Sequence, residues 1–516
     1  MIEDKPRQCG CGAILLAAAL FAAAACLFHL VSACAGHPFY RDQHLGAAVH
    51  YAQTKIDLLR PIIVGFNATQ TPTPQELPLW QAASALVFKL CGFWFGWANV
   101  ASLVLFFTCL WPLYQIARDY LGPRCAAWTL LFFLAQPVVF VYSGVAGTDG
   151  FSLASTIWFF FFGSKLLQRP NAFWWVLAFL SGAVSATSKL PFFLAAGLAM
   201  FLLLLRHYRR SLRHWFWLGT VGLAVGLVFA AWTKHTNACM AQAEFPLVDL
   251  RLSNPDMVFW YFGDWHYRLS PAIWGKAGWR ILNACFGSLV LVGLAGYAVF
   301  FSKGHGVSKY WLLGCAVATM IFSHLVLHHR HYYLMFSPAI AMLCAQAVVD
   351  FEDSVIQRVP SRRPVWLGAV PILLGLSLVQ GWFGMKIVEE YDPYPYRIAT
   401  LIRKYTSESD RLLVQNGGWG GQQLLLTNRK GLDIWGTEFL EKPANLARIR
   451  ELGYNKLVMI SESPLLYADQ VIDPGQAGMV RETYHAKLTH VADGWKTLFQ
   501  NEDLLIKEIP LKGDGN

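Results

Sequence analysis

A series of apolar runs, several of about 17–22 residues, fills most of the first 385 positions and constrains this chain more than any other feature. Runs of that length cross the hydrocarbon of a bilayer as helices, because only there are all backbone groups bonded within one segment. They fall near 13–34, 97–117, 124–142, 150–167, 172–187, 190–205, 214–233, 280–301, 309–327, 332–348 and 365–385, about eleven transmembrane helices in all. Composition agrees. Of 516 residues, 55% are hydrophobic and 14% charged, where a soluble domain carries about 25% charged residues. The expected architecture is an α-helical polytopic membrane protein.

The net charge of +10 does not point to nucleic acid, because the positive residues sit in short loops between apolar runs. Threading from an inside N-terminus puts Arg118/Arg124, Lys165/Arg169, Arg206/Arg209/Arg210/Arg213, Lys303/Lys309 and Arg358/Arg362/Arg363 on the cytoplasmic side. That is the positive-inside pattern at each crossing. The exoplasmic side then receives residues 35–96, the Thr148-Asp149 corner, Lys189, the loop 234–279, His328 to His331 and everything after about residue 386. At the N-terminus, Ala13 to Ala33 is long enough to stay as the first helix. Val31-Ser32-Ala33-Cys34 reads alternatively as a lipoprotein cleavage box preceded by Lys5 and Arg7. The 11 cysteines show neither a disulfide framework nor zinc spacing, and Cys9-Gly10-Cys11 is too short to form a tetrahedral site alone.

Two regions divide the chain: 1–390, the membrane part, with 35–96 as a first exoplasmic loop, and 391–516, a soluble exoplasmic α/β domain. Within the loop, Gln43–Leu59 reads as an amphipathic interfacial helix, 67–74 as a linker, and Leu77–Cys91 as a segment that dips into the membrane. In the tail, helices are expected at Pro395–Ser407 and Pro443–Leu452. Strands are expected at Arg411–Gln415, Lys456–Ile460, Trp495–Gln500 and Asp503–Ile509, in a small parallel or mixed sheet. Asn416-Gly417-Gly418-Trp419-Gly420-Gly421 lacks phosphate-loop spacing and reads as a turn.

Charged groups kept at a membrane boundary are costly, which makes them candidates for function. Asp42 is a candidate catalytic residue or the N-cap of a helix starting at Gln43. Arg41 is a phosphate ligand or a snorkelling interfacial residue. Asp149 is an active-site acid or a cap. Glu76 is a solvated acid or part of the site. Lys189 stands against the positive-inside bias and calls for a counter-anion, a lipid-linked phosphate or a headgroup. His328, Arg330, His331 and Tyr332 read as phosphate or sugar contacts or as a helix-end belt; their spacing matches no metal-ligand pattern. Asp264, His266 and Arg268, among Trp265 and Tyr267, suit sugar stacking or an interfacial belt.

The run His37-Pro38-Phe39-Tyr40-Arg41-Asp42-Gln43-His44, followed by Glu76-Leu77-Pro78-Leu79-Trp80, resembles the GT-C membrane glycosyltransferases of family-39 type. These include protein O-mannosyltransferases and the aminoarabinose transferases of lipid A. Asp149 resembles the second acid of that family, and His331-Tyr332-Tyr333-Leu334 its entry to a late helix. The resemblance covers roughly 13–348. Several relatives have Asp-Glu where this chain has Asp42-Gln43, so a second carboxylate is absent. The resemblance implies a GT-C fold, a polyprenyl-phosphate sugar donor and an inverting transfer to a glycan, lipid or protein hydroxyl at the envelope side of a bacterial inner membrane.

The chemistry required fits these residue types. A hydroxyl attacks only as a carboxylate takes its proton. Charge developing on the leaving phosphate needs Arg, Lys, His or a divalent metal. The resemblance makes Asp42 the base, Asp149 and Glu76 supporting acids, and Lys189 with Arg330 or Arg41 phosphate ligands. Rival readings are a transporter or flippase of lipid-linked sugars, which would place its charges at mid-membrane on paired broken helices, and a non-catalytic scaffold.

Overall fold

A computed structural model describes residues 11–31, 38–246, 249–302, 306–354, 363–385, 394–415, 421–434, 442–460 and 492–510. The cleavage box, most of the 416–421 turn and the basic cluster around Arg358 lie outside the described residues. The chain divides into two compact units. One holds Met1–Ala33, Asn99–Thr233 and Val258–Val388; the other holds Cys34–Ala98, Lys234–Met257 and Glu389–Asn516.

Among the described residues the first unit is built of helices joined by short breaks, and each expected apolar run has a helical counterpart. Six helices among the described residues are long and apolar enough to cross a membrane. They include Cys11–Leu30, Asp149–Gln168, Leu190–Tyr208 and Leu212–Met240. A seventh candidate, Pro271–Phe286 with Leu289–Phe301, is bent by 93°. Other runs are shorter or broken: the run near 124–142 is Pro123–Leu134 followed by Pro137–Tyr142, interrupted where Pro137 cannot continue the helix. The protein is thus a multi-pass membrane protein.

Lipid tails are as apolar as the helices, so close packing rather than exclusion of water draws membrane helices together. The pairing of Leu190–Tyr208 with Val307–Ile321 illustrates this. Ala195, Ala196, Ala199, Gly314, Cys315 and Ala318 are buried small residues on the two helices. A β-carbon on Gly314 would lie 2.1 Å from the Ala195 carbonyl oxygen. At one end of this unit, Lys165 pairs with Asp119 at 2.6 Å and Arg124 with Asp353 at 2.7 Å.

The second unit is built on a five-stranded mixed sheet of β1 (Arg411–Gln415), β2 (Lys430–Ile434), β3 (Lys456–Ile460), β4 (Thr497–Gln500) and β5 (Leu504–Glu508), in the order β2-β1-β3-β5-β4. β1 pairs in parallel with β2 and β3, and β5 pairs antiparallel with β3 and β4. Both faces of the central strands are apolar. Leu413, Leu432 and Leu457 meet Ile449 and Tyr454 on one face; Leu412, Val414 and Val458 meet Ile398 and Ile402 on the other.

The early loop belongs to this unit. Gly65 makes a parallel bridge to Leu432, and the Asp433 amide donates to the Gly65 carbonyl at 3.0 Å. Ala68 enters the core, where the Tyr454 hydroxyl donates to its carbonyl. The segment after 233 joins through Arg448, whose guanidinium grips Glu244.

The helix expected at Gln43–Leu59 runs instead over Pro38–Gln53. Pro38 suits the first helical position, where its missing N–H is no loss. Residues Gln43 to Ala48 are all buried, so this is a packed helix and not one lying on a lipid surface. The capping role open to Asp42 is also removed, because Asp42 lies inside the helix.

Candidate functional site

Three chain breaks in the first unit bring polar side chains together. The first is the non-helical stretch Ser143 to Thr148 before the helix Asp149–Gln168. Gly150 permits this sharp return, since a β-carbon there would meet the Ser143 carbonyl oxygen at 2.9 Å. The second is Lys189, extended between the helices Ala172–Ser188 and Leu190–Tyr208, the latter opened by Pro191. The third is the 3-10 turn Arg330–Phe336, entered from an extended His329.

At their meeting point Lys189 Nζ lies 3.2 Å from Asp149 Oδ1, and His331 Nε2 lies 4.0 Å from the same oxygen. The Lys189 ammonium also stands 4.7 Å from the centroid of the Tyr332 ring. The lysine, aspartate and histidine side chains are 2%, 4% and 7% exposed. Isolated charges at such burial cost several kcal/mol each, so the pair explains how both groups are retained. The counter-anion that Lys189 calls for is present within the protein.

Ser152, three residues on from Asp149, and Ser188, next to Lys189, are buried hydroxyls with no hydrogen-bond partner among the described residues. Tyr142 packs edge-on to His331, and Phe192 edge-on to Tyr332. The cluster offers an ammonium and an imidazole to an anionic oxygen, and a carboxylate to a hydroxyl or an electron-poor centre.

From His331 a row of rings continues to His324. His329 stacks on His331 at 5.2 Å, His328 meets His329 at 4.9 Å, and His324 stacks on His328 at 5.2 Å. Arg280 donates to the Leu327 and His328 carbonyls and holds this turn. Among the described residues, no group of three or more His, Cys, Asp or Glu side chains is arranged to hold a metal ion. Arg330 is half-buried on the same turn.

The stretch Asp264 to Arg268 is used differently. Asp264 accepts from the Tyr267 amide at 2.6 Å and caps the helix Trp265–Leu269. Arg268 donates to the Phe262 carbonyl and lies over Trp265, while His266 is exposed. None of the three is brought to Asp149.

In the second unit Glu76 is not merely a solvated acid. Its Oε2 lies 3.5 Å from His44 Nε2, while the Gln81 amide donates to His44 Nδ1 at 2.6 Å. Because Nδ1 accepts, Nε2 carries the proton and faces the carboxylate. Trp80, fully buried, packs edge-on to the same imidazole. His44 and Gln81 were not singled out in the sequence, since 37 residues separate them with no regular spacing. Arg41 and Asp42 are on the helix Pro38–Gln53, with side chains outside the described residues.

Residues 73–233 match the family model of dolichyl-phosphate-mannose-protein mannosyltransferases. No curated protein matches the chain by sequence. Among solved structures, ArnT from Cupriavidus metallidurans bound to undecaprenyl phosphate superposes with a TM-score of 0.62 at 12% identity, over 96% of this chain and 99% of that one. The Archaeoglobus fulgidus oligosaccharyltransferase, in complex with Zn and sulfate, gives 0.55 at 10% identity over 87% and 68%. The mycobacterial arabinofuranosyltransferase AftD gives 0.51 at 14% identity, over 96% of this chain and 40% of that one. The fold is therefore that of the GT-C membrane glycosyltransferases. Within that fold, the sequence likeness to the protein-mannosyltransferase family model lies in residues 73–233, and the likeness to ArnT is one of fold.

Proposed function

We propose that this protein moves a glycosyl group from a polyprenyl-phosphate-linked donor to an acceptor hydroxyl of a glycan, lipid or protein on the exoplasmic face, with inversion. The observation that carries this reading is the buried Asp149–Lys189–His331 cluster. A phosphate oxygen is the anion best suited to share Lys189 with Asp149, and charge growing on a departing phosphate would strengthen that contact. The matched ArnT was solved with undecaprenyl phosphate, which supports a lipid-linked phosphate as the donor type.

In this reading Lys189, His331 and Arg330 receive the phosphate, with Arg41 as a further ligand. Asp149 and Glu76 are supporting acids and Asp42 is the base that takes the acceptor proton. His328, Tyr332, Asp264, His266 and Arg268 are proposed sugar or headgroup contacts. The basic short loops support a cytoplasmic N-terminus and a periplasmic region 391–516 in a bacterial inner membrane, with residues 1–390 as the catalytic part.

The test is transfer of label from radiolabelled polyprenyl-phosphate sugars into membrane extracts by purified protein, beside Asp42→Asn and Lys189→Met. Asp42→Asn should lower turnover at least about 100-fold, as removal of a general base does, and Lys189→Met should weaken retention of the donor. Transfer at the unmutated rate by folded Asp42→Asn protein would remove Asp42 as the base. Unchanged donor affinity in Lys189→Met would remove the phosphate site.

A further inference from the structure

The irregular stretch that delivers Asp149 is itself held from behind. Residues Ser143 to Thr148 are non-helical and wholly buried. Backbone carbonyls at such a buried break have no partner within a helix, so donors on neighbouring side chains satisfy them. Three buried polar residues from two helices are gathered there. His29, fully buried near the end of the first membrane helix, donates from Nε2 to the Phe140 carbonyl at 3.0 Å. Asn99 donates to the His29 carbonyl at 3.0 Å, and Ser102 to the Val145 carbonyl at 2.9 Å.

The fit is steric as well as polar. A β-carbon on Gly144 would come within 2.4 Å of the His29 ring, so the imidazole lies directly on the backbone of the turn. A carbonyl only accepts, so Nε2 carries the proton; Nδ1 has no hydrogen-bond partner among the described residues. A histidine buried in a membrane helix is costly to keep. Its bond to the Phe140 carbonyl, in the last turn of the helix Pro137–Tyr142 that leads into 143–148, gives it a use that no apolar residue of the same size could replace.

We infer that His29, seconded by Asn99 and Ser102, is a positioning residue that fixes the turn 143–148 and thereby holds the Asp149 carboxylate against Lys189 and His331. Its importance for transfer rests on the reading of that cluster proposed above; its action on the Asp149–Lys189 distance does not. A small displacement of a reacting group costs about a hundredfold in rate, so the clamp would be felt in turnover although it touches no substrate.

A hydrophobic carbodiimide tests the geometry without any sugar. It activates the Asp149 carboxylate, the Lys189 amine displaces the activating group as a urea, and an amide cross-link forms only if the two are in contact. Cross-linked peptide, read by mass spectrometry, should fall about tenfold in His29→Ala and return in His29→Gln, whose amide nitrogen can reach the Phe140 carbonyl. Gly144→Ala, which leaves every donor in place, should lower both the cross-link and the melting temperature; adding His29→Ala should restore the melting temperature. In an Asp149→Asn background His29→Ala should cause no further loss of transfer. A folded His29→Ala protein that cross-links as the unmutated chain does would overturn the inference, as would an equal loss of transfer with and without the Asp149 carboxylate. If the unmutated protein cross-links but transfers from no donor, the proposed activity fails and the clamp stands.

Discussion

The Lys189–Asp149 pair and the Arg448–Glu244 pair have similar lengths, 3.2 and 2.9 Å, but the first is almost wholly buried and the second about two-fifths exposed, 42% and 41%. Their surroundings give them different meanings. Exposed arginine and glutamate lose little water on pairing and gain little from it, so the second contact adds geometry to the joint between the 234–257 segment and the sheet unit. Burying a lysine and an aspartate is expensive even when they pair, and an apolar pair of similar volume would often be as stable or more so. The dry pair is therefore poor evidence of stabilisation and good evidence of use.

That contrast can be broken in three places. The largest effect belongs to the buried pair. Lys189→Met leaves the buried Asp149 carboxyl without its ammonium and should destabilise the protein by about 3–5 kcal/mol in thermal unfolding in detergent. Asp149→Asn combined with Lys189→Met should recover most of that loss, because no unpaired buried charge remains. A single-variant loss as small as that of a surface pair would end the distinction between the two.

A smaller effect is expected where a buried but neutral contact is cut. The Tyr454 hydroxyl donates to the Ala68 carbonyl at 2.9 Å, and Tyr454→Phe should cost about 1 kcal/mol by the same melting measurement. The smallest change is that of Arg448→Ala, and it should shrink further in high salt. Its pH dependence has a definite sign. The Arg448 guanidinium holds Glu244 below its usual 4.5, so the stabilisation is fully present above about 4.5 and is lost as pH falls through the lower folded value. Melting curves of Arg448→Ala and unmutated protein should therefore converge on acidification from about pH 6 to about pH 3.

What could be read from the sequence follows from how far each signal extends. Hydrophobic runs extend over a whole helix, so the membrane helices were legible, as were β1 and β3, central strands whose apolar side chains fill both faces of the mixed sheet. Lys189 was legible because a lysine on the wrong side of the charge pattern needs a reason. Its partner was not, since Asp149 is 40 residues away and only the two chain breaks bring them together. The Gly65–Leu432 bridge was not legible either. It is a backbone contact with no side-chain signature, and Gly65 stands just before the stretch 67–74 that reads as a linker. His29 was not legible, because a lone histidine in a helix carries no spacing to read; His44 stands in the run that carries the family resemblance, but its contacts with Glu76 and Gln81 have no sequence spacing either.

The bridge at Gly65 has a practical consequence. It covers the outer edge of β2, and Ala68 fills a space in the core beside Tyr454. A fragment starting near residue 390 would lack both: its outermost strand would be bare along one side, and one tyrosine hydroxyl would face a hole. Open strand edges recruit other chains, so the tail expressed alone is expected to aggregate, whereas the same tail supplied with a peptide spanning residues 61–74 should stay in solution.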